Sequence, residues 1–210
     1  MLSRQSKGKG ILAKLLEKGI EILLKKECKK IGKIKIDVIA SSIQLIKGII
    51  QKIYIISEDI NYKDIFFDEI ELEANDLRII FNMNNKELSF KNNFIIKFKI
   101  SLSNISLKKV LLSNNWEWIS DMLSKEILNQ NKLEDIKIKN GQIFIKTSKD
   151  NKIINKEEKI NIKTENGKLY LENKFRNKSI RIPIEDKIHI MNVNIENNLI
   201  NILANSSVDF

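Results

Sequence analysis

The sequence has very little of the residue types on which metal sites and covalent cross-links depend. Its 210 residues include one cysteine, Cys28, one histidine, His189, and one proline, Pro183. A single cysteine excludes an internal disulfide, and one cysteine with one histidine cannot supply the ligands of an ordinary zinc site. No metal site is therefore expected. We expect Cys28 to be a small buried apolar side chain and His189 to be an exposed strand residue.

Catalytic motifs are absent as well. The chain contains no G-x-S-x-G nucleophile elbow, no phosphate-binding loop, no dinucleotide-binding glycine pattern and no H-E-x-x-H zinc motif. Acidic residues are plentiful, but Glu69, Glu71 and Glu73 alternate with apolar residues and therefore belong to the solvated face of a strand. We expect no catalytic residues, no cofactor and no enzymatic activity.

Long apolar runs are also missing. No stretch of the sequence approaches the ~20 apolar residues that a membrane-spanning helix needs. The basic N-terminus is similar to a secretory signal, but charged residues interrupt its apolar segment from Lys14 to Glu21. The sequence therefore predicts a protein that stays in the cytoplasm, either soluble or peripheral to a membrane.

Arginine is scarce although the chain is strongly basic. Only four of its 37 basic residues are arginine, and the formal net charge is +10 at pH 7. Lysine lacks the planar fork with which arginine reads base edges, and no RNA-binding motif is present. No specific nucleic acid is therefore expected as a partner, whereas contact with an anionic surface is favoured.

The first apolar pattern predicts a helix over residues 11–31. Apolar side chains cover more than half of its circumference, and charged side chains crowd the remainder. This apolar arc is wide enough both to pack on a sheet and to lie on an anionic bilayer. The candidate contacts for acyl chains are Leu12, Leu15, Leu16, Gly19, Ile20 and Leu23, and the candidate contacts for lipid headgroups are Lys7, Lys9, Lys14, Lys18 and Lys25.

Alternation of apolar and polar residues predicts strands throughout residues 32–102. One face of the resulting sheet is apolar, and its candidate lipid contacts are Ile53, Ile55, Leu72 and Phe98. The dipeptide Asn84-Asn85 predicts a tight turn that sets Phe81 opposite Leu88.

A second amphipathic helix is predicted within residues 106–129, preceded by a short helix. Asn114 and Glu117 have the spacing of a capping box. Behind it, Trp116, Ile119, Leu123 and Ile127 recur at spacings of three and four, and the first three are candidate lipid contacts. Because Trp116 and Trp118 are one residue apart, we expect only one of the two indoles to be buried.

The remaining residues, 133–210, have the pattern of hairpins. Tight turns are predicted at Asn140-Gly141, Asn166-Gly167 and Asn197-Asn198. These turns pair Ile138 with Ile143, Ile162 with Leu171 and Ile195 with Ile200. Pro183 cannot donate to a strand ladder, so we expect it at an edge strand or a break.

Together these patterns predict one α+β domain over residues 1–210. It consists of a basic flexible arm (1–10), a helix-sheet-helix part (11–132) and a hairpin-rich continuation of the sheet (133–210). The sheet is expected to be twisted, largely antiparallel and wrapped against the long N-terminal helix and the second amphipathic helix. The patterns leave open whether the apolar interior is a packed core or an elongated groove.

Residues 48–80 carry a likeness to a known family. They open a strand with Gly48, alternate through Ile53 and Ile55, place Tyr62 before a turn, and continue through Leu72. This segment resembles the central pattern of the LmeA-like phospholipid-binding proteins, a domain family of unknown function common in cyanobacteria, and the likeness extends over residues 11–129. Asp64 stands where that family often has glycine. The resemblance implies half of a tubular lipid-binding module, with an elongated apolar pocket and no enzymatic activity.

The function expected from the residues and the resemblance is phospholipid binding at an anionic membrane surface. Apolar side chains would hold the acyl chains and lysines would contact the headgroups. Two alternatives remain open: a basic nucleic-acid-binding or ribosome-associated protein, and a scaffold that binds a partner helix in its apolar groove. The sequence names no protein partner.

Overall fold

A computed structural model describes residues 10–82, 87–111, 113–129, 132–149 and 152–209. The helices are α1 (Ile11–Glu27), α2 (Ser42–Ile46), α3 (Asn104–Leu111) and α4 (Glu117–Glu126), and short 3-10 turns lie at Asn114–Trp116 and Lys174–Arg176. The strands are β1 (Ile34–Ile39), β2 (Ile49–Tyr62), β3 (Ile65–Asn82), β4 (Glu87–Phe90), β5 (Phe94–Ser103), β6 (Lys132–Lys139), β7 (Gln142–Lys149), β8 (Lys152–Glu165), β9 (Lys168–Asn173), β10 (Lys178–Arg181), β11 (Ile188–Glu196) and β12 (Leu199–Val208). The predicted α+β class is confirmed.

The strands form two antiparallel sheets. The large sheet has the order β1-β2-β3-β5-β12-β11, with β4 paired to the far end of β3. The small sheet has the order β10-β9-β8-β7-β6. Residues 133–210 were expected to continue a single sheet, and only β11 and β12 do so. Strand β12 pairs with β5 along its length. The strands β6 to β10, which lie between β5 and β11 in the sequence, therefore pair with one another and form a separate layer.

The two sheets meet along one side and are separated by helices on the other. At the junction the Ile190 N–H donates 2.9 Å to the Gly167 carbonyl, and the Thr164 hydroxyl donates 3.1 Å to the Ile190 carbonyl. On the opposite side α3 contacts β3 and β6, while α4 contacts β6 and β10. The side chain of Asn104 at the start of α3 accepts a 3.1 Å hydrogen bond from the backbone N–H of Ile138 on β6. The apolar faces of the two sheets therefore enclose an interior between them.

Helix α1 begins where predicted and ends earlier than predicted. It stops at Glu27 because the chain becomes extended at Lys30, which forms an antiparallel bridge with Asn61 at the end of β2. Helix α1 packs on the apolar face of the large sheet, where Leu16 and Ile20 contact a cluster that contains Val38 and Leu77. The long helix thus covers one end of the large sheet, and the small sheet covers the other.

Two details of the helices differ from the sequence-based expectations. Residues 32–102 were expected to be strands throughout, but α2 interrupts them with a capping box in which Ser41 and Gln44 exchange side-chain-to-backbone hydrogen bonds. The capping box predicted at Asn114 and Glu117 is wrong. Asn114 instead starts the 3-10 turn that leads into α4, and no capping side chain bonds to the start of either element.

The hairpin registers predicted from turn residues are confirmed. Ile138 pairs with Ile143, Ile162 with Leu171, and Ile195 with Ile200. Phe81 lies opposite Leu88 as expected, although the turn predicted at Asn84-Asn85 lies outside the described residues. Pro183 follows the edge strand β10 in a segment without strand pairing, and His189 is exposed on β11. Cys28, expected to be buried, is only half-buried because it lies just beyond the end of α1.

Candidate apolar binding site

An apolar cavity of about 230 Å³ lies between the two sheets and beneath α3 and α4. The large sheet contributes Leu102, Ile200 and Ile202 to its wall, and the small sheet contributes side chains from β6, β7, β8 and β9. Apart from the Trp116 indole, all of the lining side chains are isoleucine, leucine or valine. Because inward-facing residues alternate along every strand, the hairpin registers place these aliphatic side chains opposite one another. This apolar space, which is partly open to solvent, is therefore suited to an aliphatic ligand.

The stripe predicted on the second helix faces this cavity. Trp116, Ile119, Leu123 and Ile127 all line it, and Leu123 and Ile127 are buried. Helix α3 adds Leu107, Val110 and Leu111 to the same wall. The two helices thus close the side of the cavity that the sheets leave uncovered.

Trp116 is held at its position by a backbone contact. Its indole N–H donates a 3.0 Å hydrogen bond to the carbonyl of Lys63, in the turn between β2 and β3. The ring centroids of Trp116 and Trp118 are 6.0 Å apart. The two indoles contact each other because Trp116 belongs to the 3-10 turn rather than to the regular helix. One indole was expected to be buried, but Trp116 is only half-buried and Trp118 is exposed.

A polar network fixes the turn beside Trp116. Lys63 and Asp64 both have positive φ, so they form the two central residues of a tight turn. The Asp64 carboxylate accepts hydrogen bonds of 2.7 Å from the Lys29 ammonium and a further bond from the amide of Asn115. The Lys29 ammonium is the largest cause that lowers the pKa of Asp64. This network connects the residues after α1 to the residues before α4. Asp64 has a φ of 65°, in the left-handed region that favours glycine.

The residues expected to bind acyl chains do not gather at one place. Trp116, Ile119 and Leu123 line the cavity, whereas Leu16, Ile20 and Ile53 pack into the cluster beneath α1, and Phe98 packs at the junction of the sheets. Ile55 is buried and Leu72 is half-buried on the apolar face of the large sheet. Leu12, Leu15, Gly19 and Leu23 lie on the exposed side of α1. The patterns left open whether the space beneath α1 is a packed core or a groove, and in the structure Leu16 and Ile20 pack there against the large sheet.

The lysines expected to contact headgroups are exposed wherever the structure describes them. Lys14, Lys18 and Lys25 lie on α1, and Lys7 and Lys9 lie outside the described residues. The Glu21 carboxylate accepts hydrogen bonds from Lys25 at 2.7 Å and from Lys18 at 2.9 Å, and these contacts lower the pKa of Glu21, with Lys25 the larger cause.

Several cavity residues were missed by the sequence reasoning. The deepest wall is formed by Ile136, Ile143, Ile145 and Ile160 on the small sheet, which were assigned only to hairpins. Their alternation was visible in the sequence. The sequence did not show that these residues belong to a second sheet that faces the large sheet. Pairing between distant strands decides which apolar faces oppose one another.

Two further findings bear on the kind of site. Within the described residues no three histidine, cysteine, aspartate or glutamate side chains are grouped so that they could hold a metal ion. None of the helices in the described part of the chain has the length and apolar character needed to cross a bilayer. Comparisons of the chain with protein-family models, with curated proteins and with solved structures found no match.

Proposed function

We propose that this is a non-enzymatic phospholipid-binding protein that takes an acyl chain into the interior cavity and acts peripherally at an anionic membrane surface. The observation that carries the proposal is the cavity of about 230 Å³ with its aliphatic wall. The resemblance of residues 48–80 to the LmeA-like family and the net charge of +10 support the same function.

The size of the cavity sets the amount of ligand that fits. An apolar cavity of about 150 Å³ stays free of water and takes up benzene, so the same packing would admit roughly nine or ten carbon atoms here. That length corresponds to a large part of one acyl chain and not to two complete chains. We therefore expect one chain of the lipid to enter the cavity while the remainder of the lipid stays outside.

None of the described residues that line the cavity carries a charge with which to bind a headgroup. Burying an ionised group without a partner is costly, so the headgroup has to remain at the surface. Two basic residues lie close to Trp116. Lys63 belongs to the turn whose carbonyl accepts the indole N–H, and Lys29 bonds to Asp64 in the same turn. An anionic headgroup beside this turn would be attracted by the Lys63 ammonium, since the Lys29 ammonium is already paired with the Asp64 carboxylate.

The proposal is tested by titrating the delipidated protein with decanoyl lysophosphatidylglycerol below its critical micelle concentration and counting bound lipid by native mass spectrometry. We expect one lipid per protein. Ile119→Trp adds volume to the cavity wall and should weaken binding at least tenfold. Ile105→Trp makes the same change at an exposed position of α3 outside the cavity wall, and should bind within twofold of the unchanged protein.

Fluorescence of Trp116, which lines the cavity, provides a second measurement of lipid binding. The chain has two tryptophans, and Trp118→Phe leaves Trp116 as the only indole. A bound lipid with a brominated acyl chain should quench Trp116 fluorescence in a saturable way. If no lipid binds, or if both Ile119→Trp and a second cavity variant, Leu171→Phe, remain folded and bind as well as Ile105→Trp, then the proposed function is wrong.

A further inference from the structure

The exposed side of α1 carries an apolar surface that the other described residues of the chain leave uncovered. On a helix with 3.6 residues per turn, Ile11, Leu12, Leu15, Ile22 and Leu23 fall within about 120° of arc. All five side chains are exposed, with Leu15 at 63% and Ile22 at 59%. The neighbouring arc contains Ala13, Leu16 and Ile20, which face the sheet. One helix therefore has two adjacent apolar surfaces, and only one of them packs.

Helix α2 adds two exposed apolar side chains close to the start of α1. It contacts α1, and it exposes Ile43 and Ile46 while its Leu45 packs into the same cluster as Leu16. The residue before α1 lies against α2, because a Cβ built on Gly10 would be 2.7 Å from the Ser42 hydroxyl oxygen. We name the exposed apolar side chains of α1 and α2 together the helical face. Apolar surface of this kind marks an interaction site when it is contiguous and bordered by polar residues.

The charge around the helical face indicates what binds it. Residues 1–47 contain twelve lysines and arginines against four acidic residues, which is a charge of +8 out of the +10 of the whole chain. On α1 the side chains of Lys14, Lys18 and Lys25 follow directly beside the exposed apolar arc, and Lys26 lies within it. Basic residues that border an apolar helix surface are typical of helices that lie in the interface of an anionic bilayer.

The same features disfavour a protein as the occupant. A second copy of this chain would bring another strongly positive surface against the first, which like-charge repulsion opposes. The energetic centres of protein interfaces are enriched in tryptophan, tyrosine and arginine, and the exposed apolar residues of the helical face are all isoleucine or leucine.

We propose that the helical face is the surface with which this protein docks on an anionic lipid bilayer, with α1 lying in the plane of the membrane. The exposed isoleucines and leucines enter the boundary between headgroups and acyl chains, and Lys14 and Lys26 extend their ammonium groups to the lipid phosphates. Lys18 and Lys25 are paired with Glu21. The helical face is separate from the interior cavity. The inference rests on the peripheral action proposed above, but it assigns that action to a surface that includes α2.

The test is flotation with vesicles that contain equal parts phosphatidylglycerol and phosphatidylcholine, compared with vesicles of phosphatidylcholine alone. We expect the protein to float with the anionic vesicles and at least tenfold less with the neutral ones. The double variant Leu15→Glu/Ile22→Glu should lower the apparent affinity for anionic vesicles at least tenfold, and Ile43→Glu/Ile46→Glu should lower it severalfold. Ile105→Glu is the matched control, since it places the same charge at an isoleucine that is 65% exposed on α3, and should change binding less than twofold.

Two further measurements separate this inference from the proposed function. Leu15→Glu/Ile22→Glu should still bind one decanoyl lysophosphatidylglycerol in solution, because its substitutions lie outside the cavity. Thermal unfolding should show that the variants remain folded. The inference is overturned if the folded double variant floats like the unchanged protein. It is also overturned if the substitutions only convert an oligomer to a monomer, because the helical face would then be a protein interface.

Discussion

The carboxylate of Glu17 on α1 accepts a 2.9 Å hydrogen bond from the backbone N–H of Val38 on β1. Strand β1 is the edge of the large sheet, and Val38 is buried. An edge strand with unpaired N–H groups is a template for the strands of other molecules. The helix therefore caps the sheet edge with a side chain, in addition to covering the apolar face next to it.

We expect Glu17→Ala to lower the free energy of unfolding by about 1.5–3 kcal/mol, since a buried N–H loses a charged acceptor. Glu17→Gln keeps an acceptor oxygen and should cost less than half as much. Urea unfolding of both variants measures the difference. A Glu17→Ala protein as stable as the unchanged protein would show that the hydrogen bond to Val38 contributes nothing.

The ion pair between Arg176 and Glu158 offers a second prediction. The Arg176 Nε donates 2.7 Å to the Glu158 carboxylate, and the buried Asn173 amide donates 2.8 Å to the same group. Arg176→Met removes the cation beside a mostly buried carboxylate and should lower the free energy of unfolding by about 2–3 kcal/mol. The double variant Arg176→Met/Glu158→Gln should recover most of that loss, because it removes the unpaired charge and keeps an acceptor oxygen for the buried Asn173 amide.

Arg181 provides the matched control for this pair. It bonds to Asp186 at 3.2 Å, with 45% and 90% of the two side chains exposed. Arg181→Met should therefore cost less than about 1 kcal/mol in the same urea experiment. If Arg181→Met lowered the free energy of unfolding as much as Arg176→Met does, burial of the Arg176–Glu158 pair would not explain the larger effect.

Tyr54 gives a prediction about pH. Its hydroxyl donates a hydrogen bond to the Glu71 carboxylate, and this contact raises the pKa of Tyr54 to about 12 from its usual 10. In the folded state Tyr54 therefore keeps a proton that the unfolded chain releases above pH 10. The contribution of Tyr54 to stability is complete below pH 10 and is lost as the pH rises towards 12.

Phenolate absorbance measures this ionisation directly. Subtracting the titration of Tyr54→Phe from that of the unchanged protein should leave a single transition centred near pH 12. A difference transition near pH 10 would show that Tyr54 is not bonded to Glu71 in solution. The Lys99 ammonium is the largest cause that lowers the pKa of Glu71. Tyr54→Phe should therefore raise the Glu71 pKa, but not back to its usual value.

Replacing glycine by alanine should have opposite effects at two positions. Gly48 has a φ of +69°, and a Cβ there would be 2.1 Å from the backbone carbonyl oxygen of Ile79. Gly48→Ala should therefore cost at least about 2 kcal/mol. Gly19 lies within α1 with no atom within 4 Å of an added Cβ, so Gly19→Ala should stabilise the protein by about 0.8–1 kcal/mol. Thermal unfolding measures both, and a stable Gly48→Ala protein would contradict the close approach of Ile79.

Much of the local structure could be predicted from the sequence. The start of α1 at Ile11, the stripe from Trp116 to Ile127 and the hairpin pairs such as Ile138 with Ile143 all follow from short-range patterns. Such patterns depend on residues that are close in the chain, and a hairpin turn with two residues fixes its own register. Helix α2 also had a local signal in Ser41 and Gln44, although the apolar alternation around it concealed the helix.

The candidate site was only partly predictable. The residue pattern of α1 predicts an apolar arc wide enough for two uses, and the structure divides this arc between Leu16, which packs, and Leu15, which is exposed. Nothing in the local pattern distinguishes these two leucines. Which of them is covered depends on the position of the large sheet, a contact between distant parts of the chain.

Four properties could be predicted from the sequence: the class of secondary structure, the turns, the apolar faces and the concentration of positive charge in the first 47 residues. Each of them depends on residue type and short-range spacing. The tertiary structure alone decided that β6 to β10 form a separate sheet, that its apolar face opposes the large sheet, and that an unfilled space remains between them. The physical reason is that a cavity is a property of several apolar faces at once. Its volume depends on how closely distant elements approach, and that distance is set by packing across the whole fold.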